Sequence, residues 1–233
     1  MAADISGATA MVRSELARVA EPEKAAGMQA YMKTDMPFYG VQKAGRTVVL
    51  RRLRKEFTPK THDEYLDLCT ALWELPHREE KYLAQGVASS FRRFIVPESL
   101  ELYRRFIVEG AWWDFVDETA THLIRELVLA YPSPTWPIVD RWNEDEDMWL
   151  RRTSILCQIG AKERTDSRRL FAYCLACAHE TEFFIRKAIG WALREYAKTD
   201  PMAVARFVET HRDVLAGLSY REATKHIGDL VGQ

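Results

Sequence analysis

The 233-residue chain carries 33 Lys and Arg against 34 Asp and Glu, a formal net charge of −1. Any surface for a polyanion must therefore come from segregated charge, not from a global excess. At 47% hydrophobic residues the chain can bury a core, and four cysteines over this length do not make a disulfide framework. No uncharged run approaches the ~20 residues needed to span a bilayer. The N-terminus has Asp4 early and no apolar h-region, so no signal peptide is expected and the predicted compartment is the cytoplasm.

Almost every segment has helical period, and strand signals are absent. Helices are predicted over 8–19, 22–34, 44–56, 62–74, 77–93, 98–108, 112–130, 136–143, 147–161, 166–179, 182–198, 201–211 and 219–230. Prolines such as Pro22 and Pro201 sit at the tolerated first helical position, the second behind an Asp200 N-cap. Thr61-x-x-Glu64 and Ser219-x-x-Glu222 read as capping boxes. Asp35 to Lys43 and Tyr131 to Pro137 are expected to be irregular.

A period of 35 residues links Trp149-Leu150-Arg151-Arg152, Phe184-Ile185-Arg186-Lys187 and Ser219-Tyr220-Arg221-Glu222. Stepping back by the same interval reaches Asp114-Phe115-Val116-Asp117 and Glu79-Glu80-Lys81-Tyr82. A fixed period of this size predicts one all-α domain over 1–233, an α-solenoid of HEAT-like helix pairs. The third position of each unit reads Lys81, Val116, Arg151, Arg186, Arg221, and the fourth reads Tyr82, Asp117, Arg152, Lys187, Glu222. Equivalent positions of a solenoid lie side by side, so a concave cationic stripe for a phosphate backbone is expected, with Arg194 on a late helix beside it. Asp117 is the carboxylate in that row. Solvated charge on helix starts is the plainer alternative, although cations there oppose the helix dipole.

Gly110-Ala111-Trp112-Trp113-Asp114-Phe115-Val116-Asp117 is the most unusual stretch. If it opens a helix, Trp113 and Asp117 share a face at i and i+4. A ring face beside a carboxylate suits a substrate that carries or develops positive charge. The residues alone also fit core tryptophans with helix-start aspartates. Trp73 and Trp142 fall at apolar core positions. Trp191 lies between Lys187 and Arg194 on one helix face, which fits a groove better than a core; Phe183 and Phe184 fit either. Cys174-x-x-Cys177 lies in an apolar run without a second ligand pair at metal spacing, so no metal site is expected.

The chain resembles the AlkD-like family of DNA alkylation-repair glycosylases over roughly residues 20–228. The segments that carry the resemblance are Ala30-Tyr31-Met32-Lys33, Phe38-Tyr39-Gly40-Val41-Gln42, Leu72-Trp73-Glu74-Leu75-Pro76 and Trp112-Trp113-Asp114-x-Val116-Asp117. They continue through Trp149-Leu150-x-Arg152, Phe183-Phe184-Ile185-x-Lys187-Ala188-Ile189-Gly190-Trp191, Leu193-Arg194-Glu195-Tyr196-Ala197-Lys198 and Arg221-Glu222-Ala223-x-Lys225-His226-Ile227. The resemblance implies a curved helical array whose concave basic face holds duplex DNA. It implies excision of N3- and N7-alkylated purines, such as 3-methyladenine and 7-methylguanine, with neither metal nor cofactor and without flipping the base into a deep pocket; the chain is expected to act as a monomer. It puts the catalytic carboxylate on Asp117, two aromatic walls on Trp113 and Trp191, and a backbone-binding arginine on Arg152, with Tyr31, Gln42, Phe183 and Phe184 lining the site. Lys187, Arg151, Arg186, Arg194 and Arg221 are the further candidate DNA contacts, and a nucleoid-associated location follows.

Two departures stand out. Ala44-Gly45-Arg46-Thr47 stands where the family carries Pro-x-x-Arg-Arg, and Phe115 replaces a small residue inside the tryptophan motif. The competing functions are a non-catalytic DNA binder of the same fold and a protein-interaction scaffold.

Overall fold

A computed structural model describes residues 4–232, among which there are helices and no strands. The chain divides into two compact units, one ending at Ile95 and one beginning at Val96. The first contains α1 (Ile5–Arg18), α2 (Pro22–Met32), α3 (Lys43–Glu56), α4 (His62–Trp73) and α5 (Arg78–Ser90). Its core is the apolar stripe of each helix: Val12 and Leu16, Val49 and Leu53, Leu68, Leu72 and Trp73, Leu83 and Val87, all nearly inaccessible. Thr61 caps α4 by accepting from Glu64 N, while the Glu64 carboxylate reaches back to Lys60 N. The stretch between α2 and α3 is non-helical, as expected. The buried Glu79 holds it, accepting from the amides of Tyr39, Gly40 and Val41 at 3.1, 2.9 and 2.9 Å.

The second unit holds α6 (Leu100–Gly110), α7 (Trp113–Glu118), α8 (Arg125–Ala130), α9 (Pro132–Trp142), α10 (Met148–Leu156), α11 (Ser167–Ala176), α12 (Phe183–Tyr196), α13 (Pro201–Thr210) and α14 (Gly217–Ala223). A π-helical stretch, Thr119–Ile124, joins α7 to α8. Helices α7, α10, α12 and α14 pack successively against one another, with α9, α11 and α13 attached as the other members of helix pairs. The expected all-α architecture of stacked pairs is what the described residues form. Asp147, Asp166 and Asp200 cap α10, α11 and α13 through their carboxylates. Trp73 and Trp142 are core residues, at 1% and 4% exposure.

Two local expectations are corrected. Residues 132–137 are helical, because Pro132 takes the first helical position and Pro134 lies in the first turn, where no intrahelical donor is needed. Thr135 supports that turn by donating its hydroxyl to the Tyr131 carbonyl at 2.7 Å. Ser219 does not cap a helix. α14 starts at Gly217, the Ser219 hydroxyl donates to the Arg186 carbonyl at 2.9 Å, and Glu222 turns toward α12.

Candidate active site

The site is built where α6 gives way to α7. Ala111 adopts a left-handed backbone (φ 38°), and Trp112 follows in extended conformation. A non-glycine residue in that region costs about 1–2 kcal/mol, so the surrounding packing must hold the turn. That packing is aromatic. The Trp112 ring lies 5.3 Å from Phe184 and 6.1 Å from Trp149, and those two are 5.0 Å apart. Trp112 is thus the anchor, and α7 opens on Trp113. Phe115 is fully buried. Gly110 makes room for it, since a Cβ there would lie 2.9 Å from the Phe115 Cβ.

Trp113 and Asp117, one turn apart, line a cleft of about 300 Å³ with Arg152, Phe183, Phe184, Lys187, Trp191, Arg194 and Glu222. Asp117 meets Arg152 of α10 in a bidentate pair, Nε to Oδ1 at 2.8 Å and Nη2 to Oδ2 at 2.9 Å. The Arg152 side chain is 5% exposed and that of Asp117 is 17% exposed. The arginine also donates Nη1 to the Phe184 carbonyl, tying α12 to the same group. Burial pushes the Asp117 carboxyl above its ordinary value, Arg152 pulls it down, and the nearby Asp114 charge adds to the rise. The net direction is upward.

A second ion pair lies two repeats further on. Lys187 Nζ donates to Glu222 Oε1 at 2.9 Å, and Arg194 donates to Glu222 Oε2. Both cations hold the Glu222 carboxyl below the ordinary range, the lysine most strongly. Trp191, between them in sequence, is only half-buried and faces the cleft. Its partial exposure sets it apart from the nearly inaccessible Trp73 and Trp142. The carboxylate that its flanking cations need comes from α14, not from the neighbouring Glu195.

The other candidates are dispersed. Arg151 grips Glu180 with Nε and Nη2 at 2.9 and 2.7 Å and donates to the carbonyls of Asp145 and Glu146. Arg186 Nε donates to the Glu180 carbonyl at 2.8 Å. Arg221 is exposed on α14. The cationic row is therefore largely committed to internal acceptors. Phe183 is 57% exposed beside the cleft, whereas Phe184 is half-buried in the aromatic anchor. Tyr31, 72% exposed, and Gln42, exposed just before α3, belong to the first unit. Arg46, in the divergent first turn of α3, donates to the Val41 carbonyl at 2.9 Å and lies 4.4 Å over the Tyr82 ring. Cys174 and Cys177 are buried thiols, and burial pushes Cys177 up to about 12.

Glu222 and Glu180 were not singled out from sequence as partners. The period itself carries the signal for Glu222, which stands one repeat after Lys187, as Arg152 does after Asp117.

Chemically, the cleft offers an ionisable carboxylate of fixed orientation, two part-exposed indoles and two partly exposed cations. It suits a substrate with a cationic centre beside an anionic one.

A sequence model of the family described as "DNA alkylation repair enzyme" matches residues 12–227. Among solved structures, a predicted DNA alkylation repair enzyme from Enterococcus faecalis is 30% identical with a TM-score of 0.80, covering 89% of this chain and 96% of that one. No curated protein matches the chain. Among the described residues, no helix is long and apolar enough to cross a membrane.

Proposed function

The chain belongs to the DNA alkylation repair enzyme family, and from that premise we propose that it is a monofunctional DNA glycosylase acting on N3- and N7-alkylated purines in duplex DNA. The observation that carries this reading is the Asp117 carboxylate, fixed by Arg152 in a cleft that Trp113 and Trp191 also line.

A purine alkylated at N3 or N7 carries a positive charge, so its C1′–N bond is already weak and its departure needs no acid. As the bond breaks, the electron pair leaves with the base, which departs neutral, and positive charge develops on the deoxyribose. Asp117 supplies fixed negative potential there and accepts a hydrogen bond from the attacking water. The water oxygen bonds to C1′, and its proton passes through the carboxylate to solvent. The two indole faces favour the developing cation by about 0.5–2 kcal/mol each.

Arg152 acts on Asp117 first. Three of its five N–H donors are spent on Asp117 and the Phe184 carbonyl. Only the remaining Nη hydrogens are left for a phosphate. Lys187 is the lysine that lines the cleft, and its place is opposite an anion, Glu222, so it serves as a charge and not as a Schiff-base nucleophile, and the reaction stops at an abasic site.

The test is release of free bases from a methylated duplex, read by chromatography under single-turnover conditions. The reading expects 3-methyladenine or 7-methylguanine in solution and a strand that breaks only after alkali. No released base, or strand cleavage without alkali, would overturn it.

A further inference from the structure

α12 and α14 approach each other closely at Gly190, where a side chain would clash. A Cβ on Gly190 would lie 2.4 Å from the Glu222 Cβ and 3.0 Å from the Ser219 carbonyl oxygen. Ser219 fixes the same contact from the other side through its bond to the Arg186 carbonyl. The result is that Glu222, otherwise an ordinary helix-surface residue, is delivered into the cleft, where one carboxylate takes both Lys187 and Arg194.

Those two cations flank Trp191 on one face of α12, at i−4 and i+3. They are the cleft's cations not committed to Asp117, and neither is buried: their side chains are 37% and 23% exposed, and that of Glu222 is 24% exposed. Two cations on one carboxylate leave a single net positive charge on the cleft wall that Trp191 also lines. Because the group is partly hydrated, its internal pairing is weak enough to exchange. A phosphate offers the same geometry as the carboxylate, with more acceptor oxygens.

We infer that Glu222 is a built-in stand-in for a DNA phosphate: it occupies Lys187 and Arg194 in the free protein and yields them when a phosphate enters the cleft. The exchange has a function beyond storage of charge. A duplex gains the two cations only by displacing Glu222, so undamaged DNA is held loosely. A backbone deformed at a lesion, able to bring a phosphate deep into the cleft, gains more. Glu222 is thus a positioning and discriminating residue acting through Lys187 and Arg194.

This inference rests on the reading that the cleft receives DNA, but its test does not require catalysis. Undamaged duplex binding is measured against KCl for the wild-type protein, Glu222→Gln, Lys187→Gln and the double variant, each checked for its melting temperature. Released from Glu222, the cations are expected to neutralise one to two more phosphates. The slope of log K against log salt should steepen by about one to two in Glu222→Gln, and low-salt affinity should rise at least about fivefold. Lys187→Gln should weaken binding more in the Glu222→Gln background than in the wild type. Equal losses in the two backgrounds, or an unchanged slope in a folded Glu222→Gln protein, would overturn the inference. So would weaker binding by that variant. Should Glu222→Gln lose its fold, Glu222→Asp, with a shorter reach to the same cations, must show the same steepening in smaller measure or the inference fails. Base release by the wild-type protein is scored separately. An enzyme that binds as described and excises nothing would refute the glycosylase reading alone.

Discussion

Arg152 holds Asp117 by both carboxylate oxygens, at 2.8 and 2.9 Å, across one 35-residue repeat. The arginine thereby sets where the carboxylate points and opposes the rise that burial causes in its pKa.

Removing the arginine should cost stability and shift the pH profile together. Arg152→Gln leaves a largely buried carboxylate without its counter-charge, and breaking such a pair costs about 3–5 kcal/mol. Chemical denaturation reads the loss. In the wild-type protein burial already raises the Asp117 carboxyl above 3.8. Excision depends on the ionised form, so the acid limb of the rate profile should lie above that value and fall as pH drops through it. Without Arg152, the influence that lowers the carboxyl is gone, and the limb must move to higher pH. A limb that stays in place in Arg152→Gln would mean that a different group controls the rate.

Trp191→Ala should separate fold from function. The ring is half-buried on the cleft, so truncation should leave the melting temperature within a few degrees while single-turnover excision falls about tenfold, the size of one good cation–π contact. Trp73→Ala is the control. That ring is 1% exposed, and its loss should cost about 3–5 kcal/mol. A Trp191→Ala protein as unstable as Trp73→Ala, with normal excision per folded molecule, would return Trp191 to the core.

The period was readable from sequence, and with it the helix pairs and the register that sets Asp117, Arg152, Lys187 and Glu222 in one row. What the row does was harder to read. Side-by-side positions of like charge suggest a surface for a polyanion, but this row alternates in sign at its two ends, and adjacent opposite charges pair with each other before they meet a ligand. Trp112 and Trp113 look equivalent in sequence. Which one anchors and which one lines the cleft depends on the left-handed turn at Ala111 and on Phe184, 72 residues after Trp112. Tertiary contacts of that range leave no local signal. The stretch 131–137 misleads for the opposite reason: Pro132 and Pro134, which would break a helix interior, are welcome in a first turn, and α9 runs on through Pro137.

Gly190→Ala should act as a wedge. The added methyl meets the Glu222 Cβ and the Ser219 carbonyl oxygen at 2.4 and 3.0 Å, neither of which is the free end of a flexible side chain. Overpacking of this kind costs about 1–3 kcal/mol, against the small gain in helix propensity that alanine would bring at an open site. A folded variant of normal or raised stability would mean that α12 and α14 do not pack this closely.

The most direct test of the account is the rate of single-turnover base excision by Asp117→Asn, with binding to the same alkylated duplex measured in parallel. Asparagine keeps the shape and one acceptor oxygen for Arg152 but removes the charge that matters when the sugar becomes cationic. An interaction made mainly in the transition state lowers turnover and spares affinity. The account predicts a loss of about a hundredfold or more in rate, roughly 2.7 kcal/mol, with affinity changed by no more than about threefold. A variant that keeps more than about a tenth of the rate, or that loses binding in proportion to activity, would contradict it.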